Sequence, residues 1–384
     1  MKISLYTCTF SLLFLISACN KSKEIPVITP ESMVTRELAL TELADEVSYI
    51  KLDNSVLLSD IKDVKRVEEG YLIRNNDGLF LFGTNGKFRN QIGKKGKGPG
   101  EYVYVDDFTV NPATGEIFLV NLKKVFVYNF AGELLSSFET PDSLNFKNIV
   151  FFENRLFFPK GFGFSGLKNE WYATDLKGHV TNQKQNFVEV GELRVDYLIH
   201  PIFNDGKSLF YWNQLNDTIF CIDEKCKPAY LFAKDKFRVT ENDLASGENY
   251  RNKSSWQMLS VQGTKKYLFF DYILIKDRLR VYTMFDKNKN IMYKIASSML
   301  GAETINLNDF DNGPAFVPVS TYHSDSEEFL LGWINSFQLK MLVESTEFKN
   351  STPKFPEKKK ELEQLANSLN ENDNPVLMLV KLKE

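Results

Sequence analysis

The chain has 384 residues, with 47 Lys and Arg against 50 Asp and Glu, giving a formal net charge of −3. That near-balance excludes the general basic footprint of a DNA- or RNA-binding chain, so no nucleic-acid partner is expected. The 32 Phe, 16 Tyr and 4 Trp favour strands and can fill a broad core.

Met1 and Lys2 make a short positive start. The apolar run through Phe10, Leu12, Leu13, Phe14, Leu15 and Ile16 ends in Ser17-Ala18-Cys19. This run is too short and wrongly flanked for a spanning helix, and small residues stand just before the cysteine, so it reads as an export signal. Ser-Ala-Cys resembles the bacterial lipobox, which implies cleavage before Cys19 and lipid on that residue. Residues 20–36 are polar, contain Pro26 and Pro30, and have no apolar periodicity. The expected organisation is a signal peptide at 1–18, a lipid anchor and flexible spacer at 19–36, and one domain at 37–384. Such a protein meets the membrane through its N-terminal lipid and lies outside the cytoplasm.

The body is a succession of strand candidates separated by turns. Val47-Ser48-Tyr49-Ile50-Lys51-Leu52 comes first. Gly70-Tyr71-Leu72-Ile73-Arg74 and Leu79-Phe80-Leu81-Phe82 follow, then Ile117-Phe118-Leu119-Val120 and Val125-Phe126-Val127-Tyr128. Gly86, Gly132 and Gly178 sit in similar turns, 46 residues apart both times. Glycine supplies the positive φ that such a turn needs. A period of this size, carried by short β-branched and aromatic runs, points to a radial array of four-stranded sheets. Residues 46–340 allow roughly 49 residues for each of six blades. The expected fold is therefore all-β, a six-bladed β-propeller with antiparallel four-stranded blades. Near the C-terminus, Leu362, Leu365 and Leu369 recur at helical spacing within 356–370, which predicts a short helix. The closing strand is Val376-Leu377-Met378-Leu379-Val380-Lys381-Leu382. It can share a sheet with the N-terminal strand and so close the ring.

These features resemble the six-bladed β-propeller lipoproteins of gut Bacteroidota, related in style to NHL-repeat propellers. The resemblance rests on Asp45-Glu46-Val47-Ser48-Tyr49-Ile50-Lys51-Leu52, on the stretch from Gln91 through Gly93-Lys94-Lys95-Gly96-Lys97-Gly98-Pro99-Gly100-Glu101-Tyr102, on Asp107-Phe108, and on Asn372-Asp373-Asn374-Pro375. It implies the fold and a place in the cell envelope, with the outer membrane as the expected membrane. It implies little mechanism. Asn20-Lys21-Ser22-Lys23-Glu24 is a poor match to the acidic surface-export signal found in some of these bacteria, so the membrane face stays open.

Candidate sites each carry two readings. The glycines and lysines of 93–102 can form an anion-binding nest, with Lys95 and Lys97 as ligand-binding candidates, or an interblade turn, which is the preferred reading. No Gly-Lys-Ser/Thr ending makes them a nucleotide loop. Asp106 and Asp107 begin the next unit. Asp107 is a ligand-binding candidate near the central channel, although accepting backbone hydrogen bonds there is the stronger expectation. Phe162 and Phe164 in a glycine-rich loop are candidates for a sugar ring or an apolar partner. Cys221 and Cys226 flank a hairpin-like turn, which allows a local disulfide or two buried thiols.

No catalytic residue is assigned. His179, His200 and His323 form no compact zinc motif, and no GxSxG elbow is present. The expected function is a noncatalytic binding or scaffold module for an envelope protein or glycan, without a cofactor or metal. The alternative is a metal-dependent propeller hydrolase or lyase acting on a carbohydrate or lactone. Calcium would be its cofactor, and Asp107, Asn213 and Asp271 are the polar groups proposed for it.

Overall fold

The computed structural model describes residues 24–29, 34–141, 148–159, 169–185, 200–214, 216–223, 225–232, 256–274, 277–299, 308–324 and 326–384. Their strands form six sheets, each with four antiparallel strands. Blade 1 runs from Asp63–Val67 to Phe88–Ile92, blade 2 from Asp107–Val110 to Leu134–Glu139, and blade 3 from Val150–Phe152 to Val180–Gln185. Blade 4 runs from Ile202–Asn204 to Lys227–Phe232, and blade 5 from Trp256–Gly263 to Ile291–Met299. Blade 6 combines Ser320–His323, Glu328–Ile334 and Val376–Leu382 with Ala44–Lys51 from the other end of the chain. The expected six-bladed propeller is the fold, and the two expected terminal strands close it.

The middle strands of each blade read as unbroken apolar runs because both of their faces are covered. Leu79–Gly83 and Ile117–Asn121 are buried at every position. Successive side chains of a strand point to opposite faces, and here each face meets a different neighbouring blade. Tyr71, Ile73, Phe80 and Phe82 pack toward blade 6 with Leu331, Leu377 and Leu379. Leu72, Leu79 and Leu81 pack toward blade 2 with Phe108, Ile117 and Leu119. Phe118 and Val120 turn the other way, onto Leu156 and Phe158 of blade 3. The fourth strands of blades 2 and 3 lie on the circumference and are mostly exposed.

The three repeat glycines do more than turn the chain. Gly86, Gly132 and Gly178 have φ of 76°, 82° and 89°. Each also presses against the outer strand of the preceding blade. A Cβ on Gly86 would overlap the Lys51 carbonyl, and one on Gly178 would overlap the Phe138 ring. At Gly132 the obstacle is the Gln91 carbonyl oxygen, 2.5 Å away.

The N-terminal segment departs from the expected flexible spacer. Val27–Ile28 adds a fifth, parallel strand to the edge of blade 4, and Val34–Glu37 does the same on blade 5. Ile28 is fully buried between those two blades. Strands of two and four residues fall below any periodicity window, and their pairing is with distant segments.

The expected helix is Pro356–Asn367, with proline at its first turn and Leu362 buried; Leu369, expected within it, follows its C-cap and is buried there. Two further helices, Ser336–Glu344 and Thr346–Asn350, precede it within the same insertion between the second and third strands of blade 6. The first of them exposes Phe337 and Met341, which blurs its apolar stripe in the sequence. Leu339, Val343, Phe348, Leu362, Ala366 and Leu369 give the insertion its own small core. Buried Asn374 ties it to the ring: its side chain donates to the Asp53 and Val56 carbonyls at 2.7 Å and accepts from the Leu58 N–H at 2.7 Å.

Gly132→Ala is expected to destabilise the fold by about 1–3 kcal/mol, since it combines a disfavoured φ with a backbone clash. Gly98→Ala meets only the movable Glu101 carboxylate, at 3.0 Å, and is expected to cost well under half as much. Urea denaturation of both variants checks the contrast. Ile28→Ala is expected to cost about 2–5 kcal/mol, the range for emptying a buried aliphatic site. A denaturation midpoint unchanged by that substitution would show the strap to be dispensable.

Candidate functional site

The two faces of the ring differ. Within a blade, the first-to-second and third-to-fourth turns lie at one end of the strands. The second-to-third turns and the blade-to-blade connections lie at the other. Described turns of the first kind are short, such as 68–69, 83–87, 129–133 and 153–154. The second kind includes the 52–62 and 93–106 connections and the helical insertion between Ile334 and Val376. One face therefore presents the long connections, and loops carried on a scaffold hold a disproportionate share of binding residues in proteins generally.

The segment 93–102 lies on that face and closes on itself. Tyr102 is fully buried and donates its hydroxyl to the Ile92 carbonyl at 3.0 Å. Its N–H donates to the Lys94 carbonyl and its own carbonyl accepts from the Gly96 N–H, at 3.0 and 2.9 Å. Tyr128 of blade 2 donates to the Gly100 carbonyl at 2.8 Å. The Glu101 carboxylate folds back against Gly96 and accepts the Gly98 N–H at 2.8 Å. Its one backbone donor here is that N–H, while the Gly96 N–H is spent on the Tyr102 carbonyl, so these groups serve the turn between blades. Lys95 donates to the Asn76 carbonyl at 3.1 Å and lies 3.9 Å from Asp77. Lys94 and Lys97 are exposed on the rigid loop.

Asp107 opens the first strand of blade 2. Its Oδ2 accepts the Ile149 N–H of the next blade at 3.0 Å, and Lys65 of the previous blade stands 3.8 Å from Oδ1. Burial pushes its carboxyl above the ordinary range, against the opposing pull of Lys65. Asp106 accepts the Leu122 N–H at 2.8 Å. Both aspartates thus accept backbone hydrogen bonds at the start of a strand.

Asp107 belongs to a wider pattern that the sequence did not reveal: buried and half-buried polar groups tie neighbouring blades together. Ser320 of blade 6 donates to the Val64 carbonyl at 2.5 Å, and Lys65 of blade 1 donates to the Phe108 carbonyl. Between blades 3 and 4, fully buried Glu170 accepts from Tyr211 and, at 2.8 Å, from Asn213. Between blades 4 and 5, Lys287 and Asp205 pair at 2.6 Å. Burial lowers the Lys287 pKa, and Asp205 opposes that shift. Between blades 5 and 6, Gln262 donates to the Val319 carbonyl at 3.1 Å. Each partner lies tens of residues away in the chain, so no local motif announces these ties.

The three groups proposed for calcium each have a protein partner of their own. Asp107 faces Lys65 and Ile149, Asn213 faces Glu170, and Asp271 holds Arg280 in a fork at 2.9 and 2.7 Å. Among the described residues, no three His, Cys, Asp or Glu side chains stand together as a metal cluster. Cys221 lies opposite Lys227, while Cys226 sits in the turn at φ 47°, and both thiols are free in the structure. Burial raises both thiol pKa values. Cys19, Phe162 and Phe164 lie outside the described residues.

The closed ring of six four-stranded blades defines the class: a six-bladed β-propeller with a helical insertion in its last blade. Residues 24–381 match the family described as a domain of unknown function, DUF4934, and the chain belongs to that family. A putative exported protein from Bacteroides fragilis has a similar structure, with a TM-score of 0.69 and 23% identity over 94% of this chain and 100% of that one. Virginiamycin B lyase from Staphylococcus aureus is similar at a TM-score of 0.38 and 11% identity, over 87% of this chain and 99% of the lyase. A putative glucose dehydrogenase from Thermus thermophilus reaches 0.42 at 11% identity, over 88% and 100%. Those last two likenesses carry no argument about activity. No curated protein matches the chain.

Glu101→Ala is expected to loosen the 93–102 turn without unfolding the ring. Hydrogen exchange at the Gly98 and Tyr102 amides should quicken, with a stability loss of about 0.5–1.5 kcal/mol for the lost hydrogen bond. Unchanged protection at both amides would mean that the carboxylate does not hold the turn.

Proposed function

We propose that this chain is a lipid-anchored protein of the cell envelope, with the outer membrane as its membrane. Its propeller serves there as a noncatalytic binding or scaffold module for a protein or glycan. The observation that carries this reading is the asymmetry of the ring, with long connections and the helical insertion gathered on one face. Short turns fill the other. A second support is chemical: Asp107, Asp205, Glu170 and Asp271 are each engaged with a neighbouring strand or blade. A carboxylate spent on such a tie is poorly placed to exchange protons with a substrate. Tethering supports the reading too. The Ser17-Ala18-Cys19 pattern motivates it.

The test pairs a glycan array and quantitative binding to isolated envelope proteins with a hydrolase and lyase screen on the same full chain. Saturable binding without turnover is expected. Replacing Lys94 and Lys97 together with alanine should weaken it if the partner covers the 93–102 turn. Turnover that disappears when a carboxylate is neutralised would replace this reading with the metal-dependent hydrolase or lyase. Mass spectrometry of the native N-terminus checks the tether separately, and an unmodified Cys19 would remove that part alone.

A further inference from the structure

On the face of the long connections, segment 103–106 lies along the chain at 120–122 of blade 2. Three hydrogen bonds hold the two together. The Asp106 N–H donates to the Val120 carbonyl at 2.9 Å, the Val103 N–H to Asn121 Oδ1 at 3.2 Å, and the Leu122 N–H to Asp106 Oδ2 at 2.8 Å. Val103, Tyr104 and Leu122 are thereby gathered in one place, 41%, 37% and 45% exposed. None of them joins the apolar cores of blades 1 to 3. A single exposed apolar residue is ordinary on a protein surface, but a fixed group of three marks a place for a partner.

Leu122 carries a second sign. It opens the two-residue turn between the strands Ile117–Asn121 and Lys124–Tyr128, with φ 57°. Glycine is the usual residue where a hairpin turn needs positive φ, because a Cβ there crowds the backbone. Among the described residues, no other aliphatic side chain is held in that region. A leucine that strains its turn and packs into no core adds nothing to the fold, which points to a use outside it.

The charge left over around this group is positive. Lys94 and Lys97 are exposed on the adjoining loop, where the Lys94 carbonyl accepts the Tyr102 N–H, and Lys123 is exposed beside Leu122. Among the described residues, none of these three lysines has a salt-bridge partner. The nearby carboxylates are turned onto the backbone, Glu101 to the Gly98 N–H and Asp106 to the Leu122 N–H.

We propose that this patch docks an acidic peptide segment of a partner protein, with a large apolar side chain set between its carboxylates. The apolar side chain meets Val103, Tyr104 and Leu122, and the carboxylates meet the lysines. The proposal rests on the binding-module reading given above and names the partner of that face. A sugar ring would leave hydroxyls against two aliphatic side chains. A membrane surface fits less well, because the N-terminal segment joins the ring at blade 4, opposite blade 1, and the proposed tether leaves from there.

The probe is a short capped synthetic peptide with Asp and Glu on both sides of a central Trp-Leu pair. It is titrated into the full chain while NMR follows the Val103 and Leu122 methyl signals. Saturable shifts at both are expected. Replacing Trp-Leu by Ser-Ser, or the acids by Lys, should weaken binding at least tenfold. Leu122→Gly relieves the turn, so it should weaken binding at least fivefold, read at Val103, with the thermal midpoint level or higher. Lys94→Ala, Lys97→Ala and Lys123→Ala combined change only exposed side chains and should weaken binding at least tenfold. Shifts that never saturate, equal binding of the control peptides, or undiminished affinity in either variant would each overturn the proposal. So would a clear fall in the midpoint of Leu122→Gly, which would give the leucine to the fold. Binding to phosphatidylglycerol vesicles that Leu122→Gly weakens, in place of peptide binding, would assign the patch to a membrane instead. Saturable glycan binding without peptide binding would overturn this proposal and leave the binding module standing, whereas glycan turnover would remove the module reading itself.

Discussion

Everything in this ring depends on one pairing between segments more than three hundred residues apart. Lys51 lies opposite Val376, Tyr49 opposite Met378 and Val47 opposite Val380. Without that ladder, blade 6 would lose its outer strand and the ring would have no clasp. The apolar faces of blades 6 and 1, with Leu377 and Leu379 against Tyr71 and Phe80, would then be free to part and meet water. Closure converts six sheets, each hydrophobic on both faces, into one body in which every such face is covered.

The same requirement explains features that look decorative in isolation. A radial sheet must stay close to its neighbours from the channel to the rim. The repeat glycines serve the rim, where a turn presses onto the previous blade and leaves no room for a Cβ. The buried polar ties serve the inner zone, where Ser320, Lys65 and Asp107 reach from one first strand to the next. The N-terminal strap serves the edges of blades 4 and 5. Covering those edges satisfies backbone groups and sends the chain round to the sheet that it closes.

This division of labour shapes the chemistry left for function. Most described carboxylates near the blade junctions are engaged in holding the junction. Hydrogen bonds made within the loop itself fix the 93–102 turn, so its exposed Lys94 and Lys97 stand on a preorganised base. A partner meeting that base would order few further groups and so lose little conformational entropy on binding.

The sequence by itself determined the blade. Its turns at Gly86, Gly132 and Gly178, its paired apolar runs and its terminal strands are local signals, because turn chemistry and strand propensity act over a few residues. The helix 356–367 was legible for the same reason: Leu362 and Leu365 recur at helical spacing. Local signals also pointed to Asp106 and Asp107 as acceptors at the start of a strand. Tertiary structure alone decided the rest. The strap was hidden because Val27–Ile28 is too short to show a period, and its partner Leu231–Phe232 is far along the chain. The roles of Glu170 and Lys287 were hidden because a lone charged residue carries no sign of what will face it. Glu101 was part of a recognised motif, yet nothing in the sequence showed that its carboxylate would accept the Gly98 N–H. Pattern is set by neighbours in sequence; burial and charge pairing are set by neighbours in space, and in a closed ring those come from different blades.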